Sequence, residues 1–147
     1  MSFGLLGIGA ALALAAFGSA LGAGAAGMSA IGAWKKCFAQ NRPAPATLIA
    51  FVGAPLTQTI YGFILMQTLW GARSIAPDWL IISAGIFGGA AMGASAYAQG
   101  KAGAAASDAL AETGKGFGNY IQVLGIVETV ALLVMVFLMI IINGISG

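Results

Sequence analysis

The sequence predicts an all-α membrane protein: four transmembrane helices, arranged as two fused helical hairpins, that assemble into a ring. Three observations predict it. The 147 residues are 60% hydrophobic and only 7% charged, with a mean hydropathy of +0.97, whereas about a quarter of the residues of a soluble domain are charged. Four stretches reach the roughly 20 mostly apolar residues that a membrane-spanning helix needs. Part of the second stretch also recurs in the fourth.

The four stretches are residues 3–34, 46–70, 79–106 and 117–142. Connections around 36–45, 71–78 and 110–116 are too short for a separate soluble domain, so any nucleotide chemistry must reside on a partner. The first stretch lacks a charged leader and is longer than the apolar region of a signal peptide, so it is expected to be a mature helix. A net charge of +2 is too small to point to nucleic acid. Lys35, Lys36 and Arg42 flank the first connection and Lys101 and Lys115 the third, while Arg73 stands alone at the second. By the positive-inside bias the first and third connections face the cytoplasm and both termini the opposite side. Lys101 lies deep for a helix ending at 106, so helices 1 and 3 are expected to project beyond the bilayer or its side chain to snorkel. The single Cys37 excludes an intrachain disulfide and reads as a bland free thiol.

The repeat sets the domain organisation. Residues 55–60 align with 125–130, which puts Gln58 opposite Glu128 and Thr59 opposite Thr129, and Gly18-Ser19-Ala20 has a weaker counterpart in Gly93-Ala94-Ser95. Residues 1–74 are expected to form the first hairpin and 75–147 the second, with an amide where the first copy lacks the acid. Glycine suggests assembly. Gly85, Gly89 and Gly93 follow one another at i+4, as do Gly18 and Gly22, and such faces let helix backbones approach closely. Helices 1 and 3 are slim, while helices 2 and 4 carry Phe63, Leu65, Met66 and Leu69, or Leu132, Leu133, Met135, Phe137 and Leu138. A protomer with slim helices inside and bulky ones outside is a wedge, and wedges close into rings through repeated heterologous contacts. Packing within one four-helix bundle is the competing use of those glycines.

Glu128 carries the chemistry. It is the one carboxylate inside an apolar helical run, and an acid within a membrane span marks a functional site by default. A carboxylate in hydrocarbon needs a cation, a proton or a dense hydrogen-bond shell. Counted from Gly114, Gln99 lies 15 residues back and Glu128 14 forward, so an antiparallel hairpin brings them to similar depth. Thr57 and Tyr61 share a helix face at i and i+4, and the repeat places Gln58 at the depth of Glu128. Thr57, Gln58, Gln99 and Glu128 thus offer several oxygens, the donor preferred by hard cations. Pro55 lacks an amide hydrogen and perturbs the helix, so a carbonyl just before it can add another ligand. Taken singly, Thr57 could bond its own backbone, Gln58 or Gln99 could glue helices together, and Ser95 reads as helix packing.

The stretches Pro55-Leu56-Thr57-Gln58-Thr59-Ile60-Tyr61, Ala98-Gln99-Gly100-Lys101 and Val127-Glu128-Thr129 resemble the K-type or c-type proteolipid of V-type and A/V-type rotary ATPases. The helix 2 pattern together with the helix 3 Gln is similar to the sodium-binding bacterial members. That resemblance implies a non-catalytic rotor-ring subunit in which Thr57, Gln58, Gln99 and Glu128 bind one Na+ through their side chains. It further implies that the carbonyl of Ala54 completes the shell and Tyr61 hydrogen-bonds the carboxylate. Ala54 and Leu56 differ from typical residues of those members, which matters little for a carbonyl ligand. The implied partners are further copies of the chain, a stator subunit with an arginine and two half-channels, a central stalk, a soluble ATPase head and the lipid bilayer of a bacterial cell membrane.

A protonated Glu128, and hence H+ as the carried ion, is the alternative; four converging side-chain oxygens exceed what a proton requires. A small four-helix multidrug/proton antiporter is the reading from another class, although that family places its acid in the first helix among aromatics. A pore-forming or scaffold proteolipid would leave Glu128 unexplained.

Overall fold

The structure, a computed structural model, describes residues 3–146; residues 1, 2 and 147, at the outer ends of the two expected hairpins, lie outside it. All regular structure among the described residues is helical. Helix α1 spans Gly4–Ala39, α2 Leu48–Gly53, α3 Thr57–Ala72, α4 Asp78–Thr113 and α5 Phe117–Ser146. A 3-10 turn, Ala54–Leu56, joins α2 to α3 into one span, Leu48–Ala72. Among the described residues, this span and α1, α4 and α5 are the four helices long and apolar enough to cross a membrane.

Helices α1 and α4 run beyond their apolar stretches, one of the two outcomes expected from the depth of Lys101. Each has 36 residues, or ~54 Å at 1.5 Å per residue, against a hydrocarbon core of ~30 Å. Both therefore overrun the bilayer, and Lys35, Lys36 and Lys101 lie on helix. The overrun has a local cause. Ala102, Ala104, Ala105 and Ala106 are the best of helix formers, and nothing stops α4 until Gly114, whose left-handed φ of 67° and N–H bond to the Leu110 carbonyl make an ordinary glycine cap. The chain leaves α1 at Asn41, also left-handed at φ 51°.

The extended ends are tied together. Lys36 pairs with Glu112 at 3.2 Å, and the Arg42 guanidinium donates to the carbonyls of Ala111 and Glu112. Trp34 Nε1 donates to the Pro45 carbonyl at 2.8 Å, holding the first connection down.

The principal packing is between α1 and α4, which run parallel and in register. At one end the Phe3 N–H donates to Asp78 Oδ2, in the middle Ser29 Oγ donates to the Ala104 carbonyl, and at the other end Cys37 Sγ approaches the Ala111 carbonyl. The glycines make this possible. A Cβ added at Gly18 would strike the Gly93 backbone, one at Gly85 the Gly7 backbone and one at Gly100 the Gly22 backbone. Both glycine faces are thus used for packing within the protomer, as in small-xxx-small pairs.

Two apolar clusters fill the interior. One contains Ile8, Ala15, Leu65, Leu69, Met92 and Met135; the other contains Ala30, Cys37, Leu48, Phe51, Leu110 and Leu124. Between them in sequence along the helices lie four buried polar residues, Ser19, Gln58, Ser95 and Gln99.

Candidate ion-binding site

The polar layer begins where the second span departs from α-geometry. Pro55 cannot donate to the Phe51 carbonyl, and the backbone tightens into the 3-10 turn, where the Thr57 N–H reaches the Ala54 carbonyl. The same carbonyl lies 2.9 Å from Thr57 Oγ1, which is also 3.1 Å from Gln58 Oε1. Three oxygens therefore converge around one hydroxyl proton, which can serve only one acceptor at a time.

Gln58 and Gln99 are fully buried. Gln58 Nε2 donates to Gln99 Oε1 at 3.0 Å. Gln99 Nε2 donates in turn to Glu128 Oε2 at 3.1 Å and to the Leu124 carbonyl at 3.0 Å. The Tyr61 hydroxyl donates to Glu128 Oε1 at 2.7 Å. Ala54, Thr57, Gln58, Gln99, Glu128 and Tyr61 thus form one continuous hydrogen-bonded chain across three spans. Glu128 itself is half-buried, at the edge of the protomer rather than its centre.

Both carboxylate oxygens accept hydrogen bonds, an arrangement suited to an ionised group. Among the described residues no group of three or more His, Cys, Asp or Glu lies together. The donor set is one carboxylate plus neutral oxygens, which neutralises a single positive charge and suits a hard ion. The chain of amides can turn oxygen or nitrogen toward its neighbours, so it can exchange a cation for internal hydrogen bonds.

Two further polar residues lie beside the chain of hydrogen bonds. Ser95 donates to the Val127 carbonyl at 2.9 Å and so joins α4 to α5 beside Glu128; nothing in a lone mid-helix serine distinguishes this from bonding within its own helix. Thr129 does bond its own helix, to the Gly125 carbonyl at 2.8 Å, and is exposed.

Four apolar spans with a hydrogen-bonded carboxylate midway along the last define an integral membrane protein with an intramembrane charge site. Residues 82–141, most of α4 and α5, match the ATP synthase C-subunit family. The chain is also 36% identical over 117 residues to the A-type ATP synthase subunit K of Methanocaldococcus jannaschii, a match covering 79% of this chain and 50% of that relative. The chain spans about half the length of this curated relative. Both matches are to K- or c-type proteolipid subunits of ATP synthases, and it is these that the chain resembles.

Proposed function

We propose that the chain is the rotor-ring subunit of a Na+-translocating V/A-type ATPase or ATP synthase, binding one Na+ per protomer. The observation that carries this reading is the unbroken chain from the Ala54 carbonyl through Thr57, Gln58 and Gln99 to Glu128, closed by Tyr61. In the ion-bound form Glu128 supplies the neutralising charge, and Thr57, Gln58, Gln99 and the Ala54 carbonyl supply neutral oxygens. Tyr61 holds the carboxylate.

Copies of the chain form a ring, with each ion-neutralised Glu128 facing lipid until rotation brings it to a stator subunit. An arginine there competes for the carboxylate and the ion leaves through a half-channel. The chain performs no chemistry on ATP; hydrolysis or synthesis occurs in a soluble head, coupled through a central stalk on the cytoplasmic connections 40–47 and 114–116. The membrane is a bacterial cell membrane, with both termini on the side opposite those connections.

The test is the rate at which a hydrophobic carbodiimide, which needs a protonated carboxyl, labels Glu128 in the purified oligomer. Protection by sodium but not by potassium, weakening as pH falls, is expected. Labelling indifferent to sodium would make H+ the carried ion.

A further inference from the structure

Ser19 is 1% exposed, and its hydroxyl has no hydrogen-bond partner among the described residues. A buried, unsatisfied hydroxyl demands an explanation, because leaving one without a partner costs free energy. Its position in the bundle supplies one. A Cβ added at Gly22 would lie 3.0 Å from Pro55 Cβ, and one at Gly62 would lie 2.6 Å from Ala15 Cβ. This antiparallel register of α1 against the second span sets Ser19 opposite Gln58. Ser19 also belongs to the stripe Ala11, Ala15, Gly22, Ala26 and Ala30, the buried side of α1.

Gln58 has a complementary surplus. Its Nε2 carries two hydrogens, of which one goes to Gln99 Oε1, and the second has no acceptor among the described residues. An amide with a spare donor and a hydroxyl with no partner thus occupy one layer of the buried interior.

We propose that Ser19 is a positioning residue of the ion site, whose hydroxyl accepts the Gln58 amide when the cation binds. In the hydrogen-bonded chain described above, Gln58 Nε2 is engaged by Gln99 Oε1. For Gln99 Oε1 to turn toward a cation, that donor needs another acceptor, and Ser19 is the buried polar residue of α1 that the register sets at its level. Exchange of partners from Gln99 to Ser19 keeps Gln58 satisfied and holds its Oε1 toward the ion beside Thr57. No atom of Ser19 need touch the ion. This inference rests on the sodium reading of the site.

The experiment is carbodiimide labelling of Glu128 in the intact oligomer across sodium concentrations at fixed pH, with potassium as the control, for the unmutated chain, Ser19→Ala and Ser19→Thr. Ser19→Ala is expected to need roughly ten times more sodium for half-protection, by loss of a hydrogen bond of ordinary strength. Its oligomer should melt no lower than that of the unmutated chain, because only an unpartnered hydroxyl is removed. Ser19→Thr, which keeps the hydroxyl, is expected to restore most of the protection. Sodium dependence of Ser19→Ala within twofold of the unmutated chain would overturn the proposal while leaving the sodium site standing, and so would an equal shift in both variants. Indifference of the unmutated chain to sodium would overturn the sodium reading and this proposal with it.

Discussion

Gln99 Nε2 grips α5 at two successive turns, donating at once to the Leu124 carbonyl and to the carboxylate of Glu128. Packing and charge are therefore joined in one amide. A hydrogen bond to a charged group contributes about 1.5–3 kcal/mol, so Gln99→Ala should weaken sodium protection of Glu128 by roughly 10- to 100-fold. Titrating sodium against carbodiimide labelling measures this directly.

The carboxylate and its phenolic partner separate charge from hydrogen bonding. Glu128→Gln retains an acceptor for Tyr61 but leaves the cation without a counter-charge, and breaking a buried ion pair costs about 3–5 kcal/mol. Sodium binding, followed as retention of radioactive sodium by the oligomer, should fall by at least ~100-fold. Tyr61→Phe should fall far less, by about tenfold, because the charge remains and one donor is lost.

Backbone contact between Gly18 and Gly93 leaves no room for a side chain. Gly18→Ala should force α1 from α4 and cost about 1–3 kcal/mol, the range for overpacking a filled interior. Gly32→Ala is the control, since a Cβ there meets nothing within 4 Å, and it should be neutral or mildly stabilising. Denaturation of the oligomer by increasing detergent strength ranks the two.

Ser95 bonds a backbone carbonyl of α5 but no atom of Glu128. Interhelical hydrogen bonds in membranes contribute about 0.6 kcal/mol, so Ser95→Ala should destabilise the protein by about that amount. Its sodium dependence should change much less than that of Gln99→Ala. Stability and half-protection measured on the same preparation distinguish the two roles.

Arg42 closes the far end of α4 through the carbonyls of Ala111 and Glu112. Arg42→Ala should speed amide hydrogen exchange in the connection at 114–116 and in the residues just before it, because helix ends without partners fray. Lys36→Ala should leave exchange there nearly unchanged, since its bridge to Glu112 joins two exposed side chains.

Much of this architecture was legible because hydropathy reports on the bilayer and helix geometry converts spacing into depth. Counting from Gly114 put Gln99 and Glu128 at one level, and they lie within hydrogen-bond distance. Three features were not legible, each for a physical reason. That α1 and α4 could project was expected from Lys101, but where they end was not, because helix propensity, unlike hydropathy, does not stop at the membrane surface. Glycine faces said that backbones would touch but not whose, and the partner of Gly18 proved to be Gly93 of the same protomer. Ser95 and Ser19 were ordinary helical serines until the register between helices was known.

The tight turn at Ala54–Leu56 has an evolutionary consequence. The Ala54 oxygen belongs to the main chain, and its place is set by Pro55 and by the bonds from Thr57. Substitution at position 54 changes the side chain without removing that oxygen, whereas replacing Pro55 would restore an N–H for the Phe51 carbonyl and favour α-geometry over the 3-10 turn that presents the Ala54 carbonyl to Thr57. In the proposed site, inheritance of this ligand is therefore recorded one residue away from the atom that would serve it.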